Sequence, residues 1–345
     1  MKFLSDKAVE RLREAAEIPD LTGTRYRLQE RVARGGMGVV YAAEDEKLHR
    51  RVALKVLDVP GADGDLANRL IREALVLARL EHPGIVPVHD VGTLTDGRVF
   101  YTMKFVQGQR LDEYIGTVPS LTGRLRLFLR VCDAVGFAHA HGVLHRDLKP
   151  ANIMVGSFGE VLVMDWGLAK LLGGEAGDKP PIVDPEATIF EKPKTASDTT
   201  STGGSVVTGH GTVMGTPGYM SPEQARGDVE HLDARSDIFS LGALLRFLLT
   251  KSLDGAANPT GKQPFDKALE AICSKAAAPE PGGRYPTVSE LALDVSRYLD
   301  GLAVAAHRES LFEKLARFYR RYRFFILLIA AYLVMRVLIL LFMHR

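Results

Sequence analysis

The first residues in this chain whose types and spacing could do chemistry are glycines. Ala33-Arg34-Gly35-Gly36-Met37-Gly38-Val39-Val40 lies between two strand-like segments. A hairpin without side chains lets backbone N–H groups approach a phosphate closely. Alone, such a segment is most often just a turn. Fourteen residues after Gly38 the apolar run Val52-Ala53-Leu54 begins, ending in Lys55. An isolated strand lysine is usually a solvated edge charge. Arg72-Glu73-Ala74 then falls in a stretch with apolar Leu70, Ile71, Ala74, Leu75 and Leu77 at helical spacing, where Glu73 alone would be a surface carboxylate. The next signal removes the ambiguity. His145-Arg146-Asp147-Leu148-Lys149-Pro150-Ala151-Asn152 follows an apolar helix and precedes a strand, Val161 to Met164, and Asp165-Trp166-Gly167 comes directly after it.

The elements that must position these residues change character along the chain. Arg25 to Val32, Val39 to Ala43 and Val52 to Leu57 alternate or are β-branched, with Gly and charged turns between them. From Leu121 onward helical spacing dominates, as in Leu125, Leu127, Val131, Val135 and His139. Strands first and helices later imply an α+β chain with two lobes. The 345 residues are 46% hydrophobic and 25% charged, a globular composition, and a net charge of +2 argues against a nucleic-acid surface. Cys132 and Cys273 sit in apolar helix-like stretches and read as buried small hydrophobes of a reducing compartment. No secretory signal opens the chain, no metal-ligand cluster stands out, and no internal repeat is visible.

In order and spacing, these motifs resemble the bacterial branch of the eukaryotic-like (Hanks-type) serine/threonine protein kinases, over roughly residues 25–301. The resemblance implies a bilobal protein-kinase fold, with a strand-rich N-lobe at about 25–105 and a helical C-lobe at about 106–301. It implies ATP and Mg2+ as cofactors, with Mn2+ as a substitute. Gly35, Gly36 and Gly38 would cover the ATP phosphates, and Val32, Ala33, Val40, Ala53, Met103 and Met154 would line the nucleotide site. Lys55 would bind the α- and β-phosphates, held by an ion pair to Glu73. Asp165 and Asn152 would hold magnesium, Asp147 would accept the substrate hydroxyl proton, and Lys149 would neutralise the transferring γ-phosphoryl group.

Protein rather than small-molecule substrates are implied by Gly215-Thr216-Pro217-Gly218-Tyr219-Met220-Ser221-Pro222-Glu223, which fits the loop that receives a peptide. Lys149 after Asp147, with Thr216 downstream, is the serine/threonine pattern. Glu223 is expected to pair with Arg284, and Asp237 to accept hydrogen bonds from the backbone of the 145–152 loop. A nucleotide-sensing pseudokinase would need a broken set, but Lys55, Glu73, Asp147, Asn152 and Asp165 are all present. The chain departs from the pattern at four places. Ala33 replaces the first glycine, Trp166 stands where most kinases carry Phe, and Ser221 replaces the usual Ala. Only 17 residues separate Thr250 from Ala268, where the family normally fits a loop and a further helix used for docking. Trp166 is expected to stack with His145, Leu77 and Val88.

Residues 165–223 would form a long activation loop, rich in Gly, Pro, Ser and Thr from about Gly173 to Met214. Arg146 beside Asp147 is the feature of kinases whose loop is ordered by phosphorylation, and Thr199, Thr200, Thr202, Thr208 and Thr212 are the candidate autophosphorylation sites.

At the other end, Phe324 to Met343 is 20 residues with one charge, Arg336, enough to span a bilayer core of roughly 30 Å as a helix. Arg317, Arg320, Arg321 and Arg323 precede it, which by the positive-inside rule keeps the kinase domain in the cytoplasm of a single-pass inner-membrane protein, with the C-terminus outside. Only His344 and Arg345 follow, so the helix is expected to anchor rather than to connect an outer sensor domain. Arg336 can snorkel to the far interface, or meet an acidic residue of a partner helix. Residues 302–323 read as a basic juxtamembrane linker drawn to anionic lipid, and 1–24 as an extension whose amphipathic helix packs on the N-lobe, the lobe through which the family often forms homodimers.

Overall fold

The computed structural model describes residues 18–35, 38–57, 64–118, 120–166, 170–171, 218–228, 232–250, 266–307, 322, 324–336 and 339. The expectations for 1–17, Gly36, Thr216, the five threonines between 199 and 212, and 251–265 fall outside these residues.

Five strands form the first sheet: β1 (Tyr26–Gly35), β2 (Gly38–Asp45), β3 (Arg50–Val56), β4 (Val88–Thr93) and β5 (Val99–Lys104), in the order β1-β2-β3-β5-β4 and antiparallel throughout. β1 runs three residues beyond its sequence-expected end at Val32. Its register against β2 shifts twice, and these irregularities carry the strand out to the glycine turn. Helix α1 (Gly64–Ala78) crosses one face of the sheet. Leu70, Ala74, Val76 and Leu77 are buried, whereas Leu75, expected on the apolar face, is 37% exposed. The buried face is turned by one position relative to that reading, and this brings Glu73 inside, at 3% exposure.

The helical lobe is built on α3 (Leu121–Ala140), with Ser120 as a side-chain N-cap accepting from the Gly123 N–H. It packs against α5 (Ala234–Thr250) and α7 (Val288–Leu299), and α6 (Lys267–Ala276) packs on α5. Two short helices, α2 (Leu111–Tyr114) and α4 (Pro222–Ala225), also belong to it. Strand β6 (Gly108–Arg110) pairs with β8 (Ile153–Gly156), and β8 with β9 (Val161–Val163). β7 (Val143–Leu144) pairs with β10 (Lys170–Leu171). One hydrophobic cluster runs from Leu70 and Tyr101 of the first lobe to Val295 of the second, so the two lobes share a core. Cys132 and Cys273 are free and buried, and burial pushes both thiols up.

Residues 324–336 are helical, and Phe324, Leu328, Ile329, Leu333 and Val334 are each more than half exposed. Among the described residues no helix is long and apolar enough to cross a membrane.

Candidate active site

The antiparallel register of β3 and β5 sets Lys55 opposite Tyr101, and Ala53 opposite Met103. Partners in such a register project to the same face, here toward α1. Lys55 Nζ donates to Glu73 Oε1 at 2.8 Å and Oε2 at 3.1 Å, and reaches Asp165 Oδ1 at 3.3 Å. Burial pushes the Lys55 ammonium down, but the carboxylates of Glu73 and Asp165 outweigh it and its pKa is raised. Burial would raise Asp165; the Lys55 cation prevails and holds it below its ordinary value. The Glu73 carboxylate is enclosed by protein donors: Lys55 lies on both oxygens and the Tyr101 hydroxyl donates to Oε1 at 2.7 Å.

On the facing lobe the 145–152 loop folds onto itself. Asp147 Oδ2 accepts from Lys149 Nζ at 2.6 Å and from Asn152 Nδ2 at 3.1 Å, and Asn152 Nδ2 also donates to the Asp147 backbone carbonyl at 2.9 Å. The Asp147 N–H donates to His145 Nδ1 at 3.2 Å, which places the imidazole proton on Nε2, where it meets the Met164 carbonyl at 3.0 Å. The same ring stacks on Trp166 with centroids 4.6 Å apart. Leu77 and Trp166 belong to one core cluster, against which Val88 packs.

Arg146 and Asp165 both sit in the left-handed region, at φ 70° and 57°. Non-glycine residues there cost of the order of 1 kcal/mol or more unless their surroundings hold them. For Arg146 the holder is Asp237, fully buried on α5. Its Oδ1 accepts from the Arg146 N–H and its Oδ2 from the His145 N–H, both at 2.8 Å. His139 Nε2 lies 2.7 Å from the same Oδ2. Burial works to raise Asp237, yet the bond from His139 and the neighbouring donors bring it below its ordinary value.

Below this loop, Arg284 Nη1 and Nη2 grip Glu223 at 2.6 and 2.8 Å, a fork-on-fork pair with the arginine side chain fully enclosed. Ser221 caps α4 in a reciprocal capping box with Gln224, whose Nε2 donates to the Arg146 carbonyl at 2.8 Å. The small side chain of Ser221, fully buried, is thus a cap as well as a filler.

The remaining sequence-predicted residues divide. Val40, Ala53, Met103 and Met154 belong to one cluster of buried and half-buried apolar side chains at the junction of the lobes. Val32 is 52% exposed and Ala33 is exposed on β1, outside that cluster. Gly38 has a further reason to be glycine: a Cβ there would lie 2.2 Å from the Val56 carbonyl oxygen. The donor set fits a nucleotide with a divalent cation. Asp165, 52% exposed, offers hard carboxylate oxygens, and the amide oxygen of Asn152 is left over once its NH2 binds Asp147. Sequence reasoning missed Tyr101, Gln224 and His139. Only Tyr101 left a trace, a hydroxyl-bearing ring in the otherwise apolar run Val99-Phe100-Tyr101.

Residues 26–289 match the family model described as protein kinase domain. The chain is similar to the serine/threonine-protein kinase PknD of Protochlamydia amoebophila, 32% identical over 314 residues, covering 80% of this chain and 30% of that protein. It is also similar to the serine/threonine-protein kinase PknB of Mycolicibacterium smegmatis, 35% identical over 308 residues, covering 83% of this chain and 44% of that one. It thus spans 30% to 44% of the length of these relatives. The kinase domain of Mycobacterium tuberculosis PknI superposes with a TM-score of 0.53 at 24% identity over 79% of this chain and 95% of that one, a likeness of fold.

Proposed function

The chain belongs to the protein kinase family, and on that premise we propose that it is a serine/threonine protein kinase transferring the γ-phosphate of ATP to hydroxyls of proteins. The observation that carries this is the closed set Lys55–Glu73–Asp165 facing Asp147, Lys149 and Asn152, with no member replaced or misdirected.

In this reading Lys55 holds the α- and β-phosphates while Glu73 fixes its ammonium. Asp165 and Asn152 would hold magnesium, which would supply positive charge against the phosphates. Asp147 orients the substrate hydroxyl and takes its proton. Lys149, 2.6 Å from Asp147, is near enough to stabilise negative charge on the group in transfer. Gly35, Gly36 and Gly38 cover the phosphates, and Val40, Ala53, Met103 and Met154 offer the apolar surface for the base. The direct test is transfer of labelled phosphate from ATP to serine or threonine of a generic basic protein. An active wild type and a silent Asp147→Asn are expected; no transfer by the wild type in Mg2+ or Mn2+ would end the reading.

Regulation is proposed through Arg146. Its guanidinium is partly buried, with Nε and Nη2 without a hydrogen-bond partner among the described residues, and burial pushes its pKa down. Such a group favours a phosphate beside it. Autophosphorylation is therefore expected among Thr199, Thr200, Thr202, Thr208 and Thr212. Peptide mass spectrometry of a preparation made active checks this, and full activity without phosphate in that stretch would refute it.

The segment 324–343 is proposed as the single membrane-spanning helix, with the kinase domain, 25–301, on the cytoplasmic side and 302–323 as its basic tether. Apolar side chains exposed on every side of residues 324–336 favour a lipid environment over water. The full chain is expected to float with vesicles of mixed neutral and anionic phospholipid, and a version ending at Arg323 to stay behind. Equal flotation of both would remove the anchor.

A further inference from the structure

We infer that Tyr101 is a positioning residue for phosphate transfer: its hydroxyl fixes the Glu73 carboxylate, and through it Lys55, in the arrangement that receives the nucleotide. The inference rests on the kinase reading above and adds a residue to it.

Three contacts converge on this side chain. Its Oη donates to Glu73 Oε1 at 2.7 Å, while the same Oε1 accepts from Lys55 Nζ at 2.8 Å. Its ring centroid lies 5.8 Å from Lys55 Nζ, within reach of a cation–π attraction. It stands directly opposite Lys55 in the β3–β5 register, so backbone pairing fixes the position of both. Tyr101 is 1% exposed, so its hydroxyl is shielded from bulk solvent. Burial, then the Glu73 charge, raises the phenol well above its ordinary value, so it remains a donor. Glu73 is carried by α1, whereas Tyr101 and Lys55 are carried by the sheet. The hydroxyl is thus a second tie between helix and sheet, alongside the ion pair. An enclosed carboxylate that loses one of its donors costs about a factor of ten or more in the population of that arrangement.

Wild type, Tyr101→Phe, Glu73→Gln and the double variant are compared for KM of ATP, KM of a basic protein substrate, kcat and thermal unfolding. Tyr101→Phe keeps the ring, so its unfolding temperature is expected within a few degrees of wild type. KM for ATP should rise about tenfold while KM for the protein substrate is unchanged. In the Glu73→Gln background the same substitution should change KM for ATP less than twofold, because its route is already cut. A wild-type KM for ATP in Tyr101→Phe, an undiminished effect in the double variant, or collapse of the fold in Tyr101→Phe would each overturn the inference and reduce Tyr101 to core packing. Absence of transfer by the wild type would instead strike the kinase reading itself.

Discussion

Asp147→Asn is expected to lower phosphate transfer by about two to four orders of magnitude, with KM for ATP little altered. The substitution is nearly isosteric. Asp147 Oδ2 accepts from both Lys149 and Asn152, and an asparagine that sets its amide oxygen in that place can still accept both bonds. What disappears is the negative charge, and with it the ability to draw a proton from a hydroxyl. Nucleotide contacts proposed for Lys55 and the glycine turn lie on the other lobe and are untouched. Steady-state kinetics separate the outcomes: a loss of kcat with a steady KM fits a proton acceptor, whereas a rise in KM for ATP with a steady kcat would assign Asp147 to nucleotide binding.

Arg284→Ala should destabilise the helical lobe by about 3–5 kcal/mol, on the order of 10 °C in thermal unfolding. Arg284 joins distant pieces of chain. It binds Glu223 through both terminal nitrogens and also the carbonyls of Arg235, Ala278 and Pro279. Its removal leaves a carboxylate at 5% exposure with, among the described residues, only the Ser236 hydroxyl as a side-chain partner. Lysine should rescue little, since an ammonium cannot grip two oxygens and three carbonyls with one planar fork. Acid separates charge from packing. Burial tends to raise Glu223, but the bonds from Arg284 outweigh it and bring its pKa down from 4.5 to about 2. A depressed carboxylate stabilises the fold fully above its unfolded value and loses that contribution as pH falls toward the folded one. The gap in stability between wild type and Glu223→Gln should therefore be largest above pH 4.5 and close toward pH 2. A gap independent of pH in circular dichroism melts would mean that the pair acts by shape alone.

These two sites were legible in the sequence because the residues involved have little freedom of type. A carboxylate, an ammonium and an amide within a six-residue loop, and an arginine bound to a distant glutamate, cannot be exchanged for other side chains without losing the contacts. The strand-then-helix order, the Lys55–Glu73 pair and the backbone bonds to Asp237 follow the same logic. What stayed hidden depends on orientation rather than identity. Periodicity locates α1 but not its rotation: Leu75, one of the apolar positions at helical spacing, is exposed, whereas Val76 is buried. Tyr101 looked like any aromatic of a buried strand, since nothing in one sequence says which residue on another element its hydroxyl will meet. Gly38 carried an obvious phosphate-loop reading that concealed its tight approach to Val56. Gln224 and His139 act on backbone or on a buried carboxylate some distance along the chain, and no local pattern marks such partners.

The pairing of β10 with β7, and the bond from Gln224 to the Arg146 carbonyl, have a consequence for chain statistics. Both ends of the stretch from Leu172 to Pro217, 46 residues, are fastened to the same lobe. For a stretch tied at both ends, the entropy of closure grows only as the logarithm of its length, so halving or doubling it shifts stability by about 0.6 kcal/mol. The number of hydroxyls in this stretch can therefore change by insertion or deletion almost without thermodynamic penalty. Its length is a variable to which the stability of the lobe is nearly indifferent.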